Sequence, residues 1–97
     1  MKLSVLNEGN KMNIRIEYCV QWNYEPQALS LREKLGYEYM NAFIEIKPGA
    51  KGAFEVYKDD VLVFSKLKLD RFPNDGEVIQ LIREAKWKIG YIICNED

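Results

Sequence analysis

Apolar and polar positions first fall into a regular pattern at Asn13–Tyr18, where Ile14, Ile16 and Tyr18 alternate with Arg15 and Glu17. A period of two predicts a strand with one buried face. A polar, aromatic loop follows from Cys19 to Glu25. Beyond it, Ala28, Leu31 and Leu35 recur at helical spacing. Asn23 is the expected N-cap, which places Pro26 in the first turn, where its missing N–H costs nothing. Gly36 is the expected stop. Ala42–Ile46 predicts a second strand, closed by Pro48-Gly49. Ala53–Tyr57 and Val61–Ser65 predict a hairpin around Lys58-Asp59-Asp60, although a glycine would take positive φ more readily than Asp60. The charged run from Lys66 to Arg71 predicts a solvated loop. Asn74 or Asp75 is expected to cap a second helix. Its apolar stripe is Val78, Leu81, Ile82, Ala85 and Ile89, flanked by Ile79 and Trp87, and Gly90 is its expected end.

The predicted order is β-α-β-β-β-α. Two strands flanking a helix should lie parallel through a right-handed crossover, and the hairpin adds two antiparallel strands. The first strand alternates apolar with charged residues, so one sheet face is covered and the other is partly wet. The simplest solution is a two-layer α/β sandwich, a mixed four-stranded sheet with both helices on one face. Residues 1–12 read as an N-terminal extension, with Leu3–Leu6 strand-like. Residues 13–90 read as the domain and 91–97 as a tail that is apolar at Tyr91–Cys94.

Composition narrows the chemistry. A chain of 97 residues, 47% hydrophobic, is long enough for one core without disulfides. Its 14 basic and 15 acidic residues give a net charge of −1. That balance argues against nucleic acid or an anionic membrane as partner. No histidine is present, which removes Ser-His-Asp and Cys-His pairs and the usual zinc sites. Cys19 and Cys94 lie too far apart to read as a secreted disulfide framework. With no signal-peptide core and no apolar run of membrane-spanning length, a cytoplasmic protein with reduced thiols is expected. Asp59-Asp60 reads as turn residues, and Gly49 with Gly52 lacks the Gly-Lys-Ser/Thr of a phosphate loop.

Cys19 falls just past the carboxyl end of the first strand, the end at which open α/β sheets bind ligands. The string from Ile16 to Pro26, with Tyr18-Cys19 at the strand end and Pro26 opening the helix, resembles the selenoprotein W/T/H (Rdx) family. Gly49-Ala50-Lys51-Gly52-Ala53-Phe54-Glu55-Val56 looks like that family's glycine-rich turn into a strand. Phe64-Ser65-Lys66 and Arg71-Phe72-Pro73 resemble the segment before its last helix. The likeness spans about residues 13–90. It implies a thioredoxin-like fold and thiol redox chemistry. The chain departs from the family where the second Cys or selenocysteine should stand, which is Trp22 here. An indole cannot resolve a mixed disulfide.

The resemblance therefore implies a one-cysteine site. Cys19 would form a mixed disulfide or sulfenic acid, reversed by an outside thiol such as glutathione, a candidate co-substrate rather than a resident cofactor. Candidate partner-binding residues are Val20, Gln21, Trp22 and Tyr24 in the loop, with Gly49 and Gly52 beside it. A helix N-terminus favours the thiolate by about 0.3–1 kcal/mol. Glu17 and Glu25 would oppose it if they lie near the sulfur, and no Lys or Arg stands between Arg15 and Arg32. The alternative is a non-catalytic protein-binding module that kept the fold and lost dithiol chemistry, with Cys19 an ordinary half-buried residue. Cys94 would resolve Cys19 only with the two Cα atoms within about 7 Å, and a free tail cysteine is the expectation. The apolar Leu3–Leu6 and Tyr91–Cys94 segments predict a homodimer.

Overall fold

The structure is a computed structural model and describes residues 12–85. The expectations for Leu3–Leu6, Trp87, Ile89, Gly90, the tail and Cys94 lie outside the described residues. In chain order come β1 (Asn13–Tyr18), α1 (Glu25–Glu38), β2 (Phe43–Pro48), β3 (Phe54–Lys58), β4 (Val61–Ser65), α2 (Lys66–Leu69) and α3 (Glu77–Ala85). The four strands form one sheet in the order β2-β1-β3-β4. β1 runs parallel to β2 and antiparallel to β3, and β3 pairs antiparallel with β4. This is the expected two-layer α/β architecture.

The alternation in β1 decides which face is covered. Ile14, Ile16 and Tyr18 are buried, while Arg15 and Glu17 are not. Register carries that division across the sheet. Ile44 and Ile46 stand beside Ile14 and Ile16, and Val56 and Phe54 stand opposite Ile16 and Tyr18. Ala28 and Leu35 of α1 and Val78 and Ile82 of α3 join these residues in one core cluster, so both helices cover the same face. The other face is charged. Arg15 reaches Glu17 and Asp60, each at 2.9 Å, and its guanidinium lies 4.2 Å from the centre of the Tyr57 ring.

Several local expectations are corrected. Asn23 is not the N-cap of α1. It sits in the left-handed region at φ 57°, and Tyr24 takes the cap position without a side-chain hydrogen bond. The Asn23 N–H donates to Val20 O at 2.9 Å and closes the turn that follows β1. Asparagine tolerates left-handed backbone, and here the turn uses that tolerance before the helix begins. Gly36 does not stop α1, which continues to Glu38. Tyr39 caps it, donating its N–H to Leu35 O at 2.8 Å and its hydroxyl to Ile79 O at 2.9 Å. This anchor to α3 outweighs the modest cost of an interior glycine.

The charged run from Lys66 to Arg71 is not a plain loop. Ser65 Oγ accepts from Lys68 N–H at 3.1 Å and the buried Glu55 carboxylate accepts from Leu67 N–H at 3.2 Å. Those two acceptors turn Lys66–Leu69 into α2, and Asp70 closes it at φ 60°. The β3–β4 turn places both Asp59 and Asp60 at positive φ, 50° and 69°. Successive left-handed residues suit the twist of a two-residue hairpin. Both side chains are also used, Asp59 Oδ1 by the Asn13 N–H and Asp60 Oδ1 by Arg15. At the start of α3, the Glu77 N–H donates to Asn74 O at 3.0 Å and the Glu77 carboxylate accepts from the Asn74 N–H at 2.8 Å. Asn74 thus works through its backbone, and the helix begins two residues beyond Asp75.

Arg71 grips Glu77 through two hydrogen bonds of 2.8 Å. That pair, with the Asn74 amide, holds the Glu77 carboxyl at about 2, below its ordinary 4.5. A depressed carboxyl stabilises the fold above its unfolded pKa, and the contribution disappears as pH falls through the folded value. Urea unfolding of the native protein and Glu77→Gln should therefore differ most near neutral pH. The gap should narrow between about pH 4.5 and about pH 2. A gap independent of pH would show that the ionised pair contributes nothing.

Candidate functional site

The carboxyl end of β1 is pinned by backbone contacts to the segment between β2 and β3. The Gly49 N–H donates to Tyr18 O at 2.7 Å, and the Cys19 N–H donates to Ala53 O at 2.9 Å. The approach is close enough to favour glycine. A Cβ on Gly49 would stand 3.0 Å from Glu17 Cβ and 3.3 Å from the Tyr18 nitrogen. Gly52, at φ +77°, would push a Cβ to 3.0 Å from the Trp22 ring. The expected proximity of the 49–52 segment to Cys19 is therefore present.

The turn from Cys19 to Tyr24 folds back over the strand end, with the Tyr24 N–H donating to Cys19 O at 3.0 Å. Cys19 is buried, 1% exposed. Its Sγ accepts from the Trp22 N–H at 3.2 Å. Burial pushes the thiol up, but the Gly52, Trp22 and Gln21 amides and the charge of Lys51 together outweigh it, and the net direction is down. The backbone here does what a helix N-terminus was expected to do, offering N–H groups to a developing anion.

Two electrostatic expectations change. Glu17 does not burden the sulfur, because its side chain lies on the charged sheet face in the grip of Arg15. Lys51 contributes the positive charge that the stretch between Arg15 and Arg32 lacks. Lys51 lies between two glycines of the predicted loop, and only the spatial juxtaposition of that loop with Cys19 could have singled it out.

The remaining candidates divide by exposure. Val20 and Trp22 are 58% and 51% exposed, Gln21 is exposed, and Tyr24 is half-buried. Trp22 both packs and presents. One edge of its ring lies on Gly52, and it meets Tyr24 edge-on at 6.1 Å between centroids. Tyr24 meets Phe72 at 4.7 Å and Phe72 meets Phe54 at 5.2 Å. Lys66 Nζ stands 5.3 Å from both the Tyr24 and Phe72 centroids. Phe72 and Lys66 were not among the residues expected here. The Phe72-Pro73 pair was the available signal. A groove of about 350 Å³ runs beside this row between α1 and the start of α3, with Pro26, Leu31, Phe54 and Phe72 in its wall. Cys19 is not part of that wall.

The Rdx family profile matches residues 13–84, and the chain belongs to the Rdx family. It is 36% identical over 77 residues to Migration and invasion enhancer 1 of Mus musculus, a match covering 79% of this chain and 67% of that one. The same figures hold for the Bos taurus protein of that name. Among solved structures, a Selenoprotein W-related protein from Vibrio cholerae superposes with a TM-score of 0.73 at 25% identity, covering 77% of this chain and 96% of that one. A Bordetella parapertussis protein, at 19% identity, shares the fold with a TM-score of 0.73 over 77% and 98% of the two chains. The sheet and its two covering helices are thus the selenoprotein W-like version of the thioredoxin-like fold. Family and fold together indicate a redox-related role.

Gly52 offers a direct check on the thiol's surroundings. Gly52→Ala forces a side chain into left-handed backbone, at a cost of about 1–2 kcal/mol, and drives it against the Trp22 ring. The Gly52 amide should shift away from the sulfur, so the apparent pKa of Cys19 read from alkylation rate against pH should rise. An unchanged profile would remove that amide from the account.

Proposed function

We propose that the protein is a thiol redox protein of the selenoprotein W-like class that works through Cys19 alone, with glutathione or a protein thiol as its second partner. The observation that carries this reading is the turn folded round Cys19, whose Sγ accepts from the Trp22 N–H at 3.2 Å while the Gly52 and Gln21 amides and Lys51 favour its anion. The Cys19 thiolate attacks the glutathione sulfur of a mixed disulfide between glutathione and a substrate protein's thiol. The new Cys19–glutathione disulfide forms as the substrate's thiolate leaves. A free glutathione thiolate then attacks the glutathione sulfur of the adduct, restoring the Cys19 thiolate and releasing oxidised glutathione. Atoms and electrons balance without a second thiol in the chain, which suits one with Trp22 in the resolving position. Val20, Gln21, Trp22 and Tyr24 form the rim over which a partner approaches, while Gly49 and Gly52 seat that rim, their missing side chains making room for the end of β1 and for the Trp22 ring.

Burial sets the condition for this chemistry. At 1% exposure, Cys19 meets a reagent only when the turn lifts from the 49–52 segment. The Trp22 ring against Gly52 holds the two together. The same burial, beside the exposed Val20 and Trp22, favours a second reading in which the loop binds a partner and the thiol stays unused.

Intact mass after exposure to oxidised glutathione between about pH 5 and 9 separates the two. Cys94→Ser should gain one glutathione and the double variant Cys19→Ser/Cys94→Ser none, and the rate in Cys94→Ser should rise with an apparent pKa below that of a model thiol. Trp22→Ala should react faster than the native protein by loosening the turn. A Cys19 that stays unmodified in the native protein and in Trp22→Ala would overturn the redox reading in favour of the binding module.

A further inference from the structure

The two edges of the sheet are built differently. β4 is protected. Its ladder with β3 slips between Val56 and Tyr57, leaving Val63 as an extra residue, and the strand runs at once into α2. Bulges and abrupt exits of this kind discourage pairing with another chain. β2 has neither device. Its six residues, Phe43–Pro48, pair with β1 without a slip, and among the described residues no strand lies on its outer side.

The direction of each backbone group on β2 follows from its ends. The Phe43 N–H donates inward to Met12 O at 2.8 Å, and the Gly49 N–H donates inward to Tyr18 O at 2.7 Å. In a parallel ladder the inward residues alternate. Phe43, Glu45, Lys47 and Gly49 therefore spend their main-chain groups on β1. Ile44 and Ile46 turn their N–H and C=O groups outward, and Pro48 turns out a carbonyl alone.

We propose that this edge docks a second copy of the same chain, antiparallel, about a twofold axis through Ile46, to give one continuous eight-stranded sheet. The side-chain pattern is self-complementary in that register. Ile46 faces its counterpart as a hydrogen-bonded pair, each donating an N–H to the other's carbonyl. Each Ile44 N–H finds the carbonyl of the other copy's Pro48, the only group Pro48 offers. Glu45 falls opposite Lys47 of the second copy, twice over, at the non-hydrogen-bonded positions where side chains approach most closely. Both are available for it, their side chains being 44% and 50% exposed and only 3.9 Å apart within one strand. Phe43, 56% exposed, falls opposite Gly49, just past the strand end. Moving the axis to Ile44 would set Phe43 against Glu45 and lose the charge match.

The test is sedimentation of the full chain from about 5 to about 500 µM, a range that spans weak to moderate self-association. The native protein should dimerise. Glu45→Lys and Lys47→Glu each turn two attractive pairs into two repulsive ones and should weaken the dimer about tenfold. The double variant Glu45→Lys/Lys47→Glu restores opposite charges in that register and should recover the native affinity to within about threefold. Circular dichroism melts would confirm that these surface variants stay folded. A native chain that remains monomeric throughout overturns the proposal, whether the edge is covered by residues 1–11 or left for a different polypeptide. A dimer indifferent to both single reversals, or one not recovered by the double, places the contact elsewhere and overturns it equally.

Discussion

The structure depends on one close approach, that of the Gly49–Ala53 segment to the end of β1. Two backbone hydrogen bonds, from Gly49 to Tyr18 and from Cys19 to Ala53, carry β1 past its last ladder residue. They fix where the chain turns, and hence where the sulfur lies. A side chain at position 49 would crowd the Glu17 Cβ and the backbone beside it, so glycine allows the approach to be this close. The parallel β1–β2 pair, the crossover helix α1 and the entry into β3 all meet at this point. Thiol environment and sheet topology are consequently one design problem. A change that loosens the approach would disturb both.

Electrostatics follow the same division as the sheet. On the charged face, Arg15 binds Asp60 and also Glu17, the carboxylate two residues before Cys19, which is thereby held away from the sulfur. Past the strand end, the sulfur sees amide dipoles and Lys51. The alternation in β1 thus does two things at once. It sends Ile14, Ile16 and Tyr18 into the core, and it sends the carboxylate that would oppose a thiolate to the far side. The aromatic row from Trp22 through Tyr24 and Phe72 to Phe54 then ties the turn to the core beneath α3.

Much of the fold was legible because it rests on periodicity. The period-two run of β1, the helical spacing of Ala28, Leu31 and Leu35, and the stripe at Val78 and Ile82 each name a buried face, and burial is what the sequence encodes most directly. The misread elements depend on contacts that sequence distance hides. Gly36 looks like a stop until Tyr39 is seen anchored to Ile79, 40 residues on. Lys66–Leu69 looks like a solvated loop until Glu55 supplies an acceptor from a neighbouring strand. Asn23 was assigned to a cap when the turn needed its left-handed backbone. At the site, motif order placed Cys19, Trp22 and the two glycines. Lys51 and Phe72 acquire meaning only through the fold.

The burial of Cys19 also has a kinetic consequence. A thiol that is almost wholly covered reacts through a minor open population, so its observed rate is the intrinsic rate of the exposed thiolate scaled by the fraction open. The closed turn supplies the donors that favour the anion, while the open turn supplies access and gives those donors up. Acidity and reachability are therefore drawn from opposite ends of one equilibrium. Small oxidants, which need little opening, would sample the more acidic thiol, and bulky disulfides the less acidic one. On the proposed reading, the turn between β1 and α1 would select the partners of a single sulfur by size.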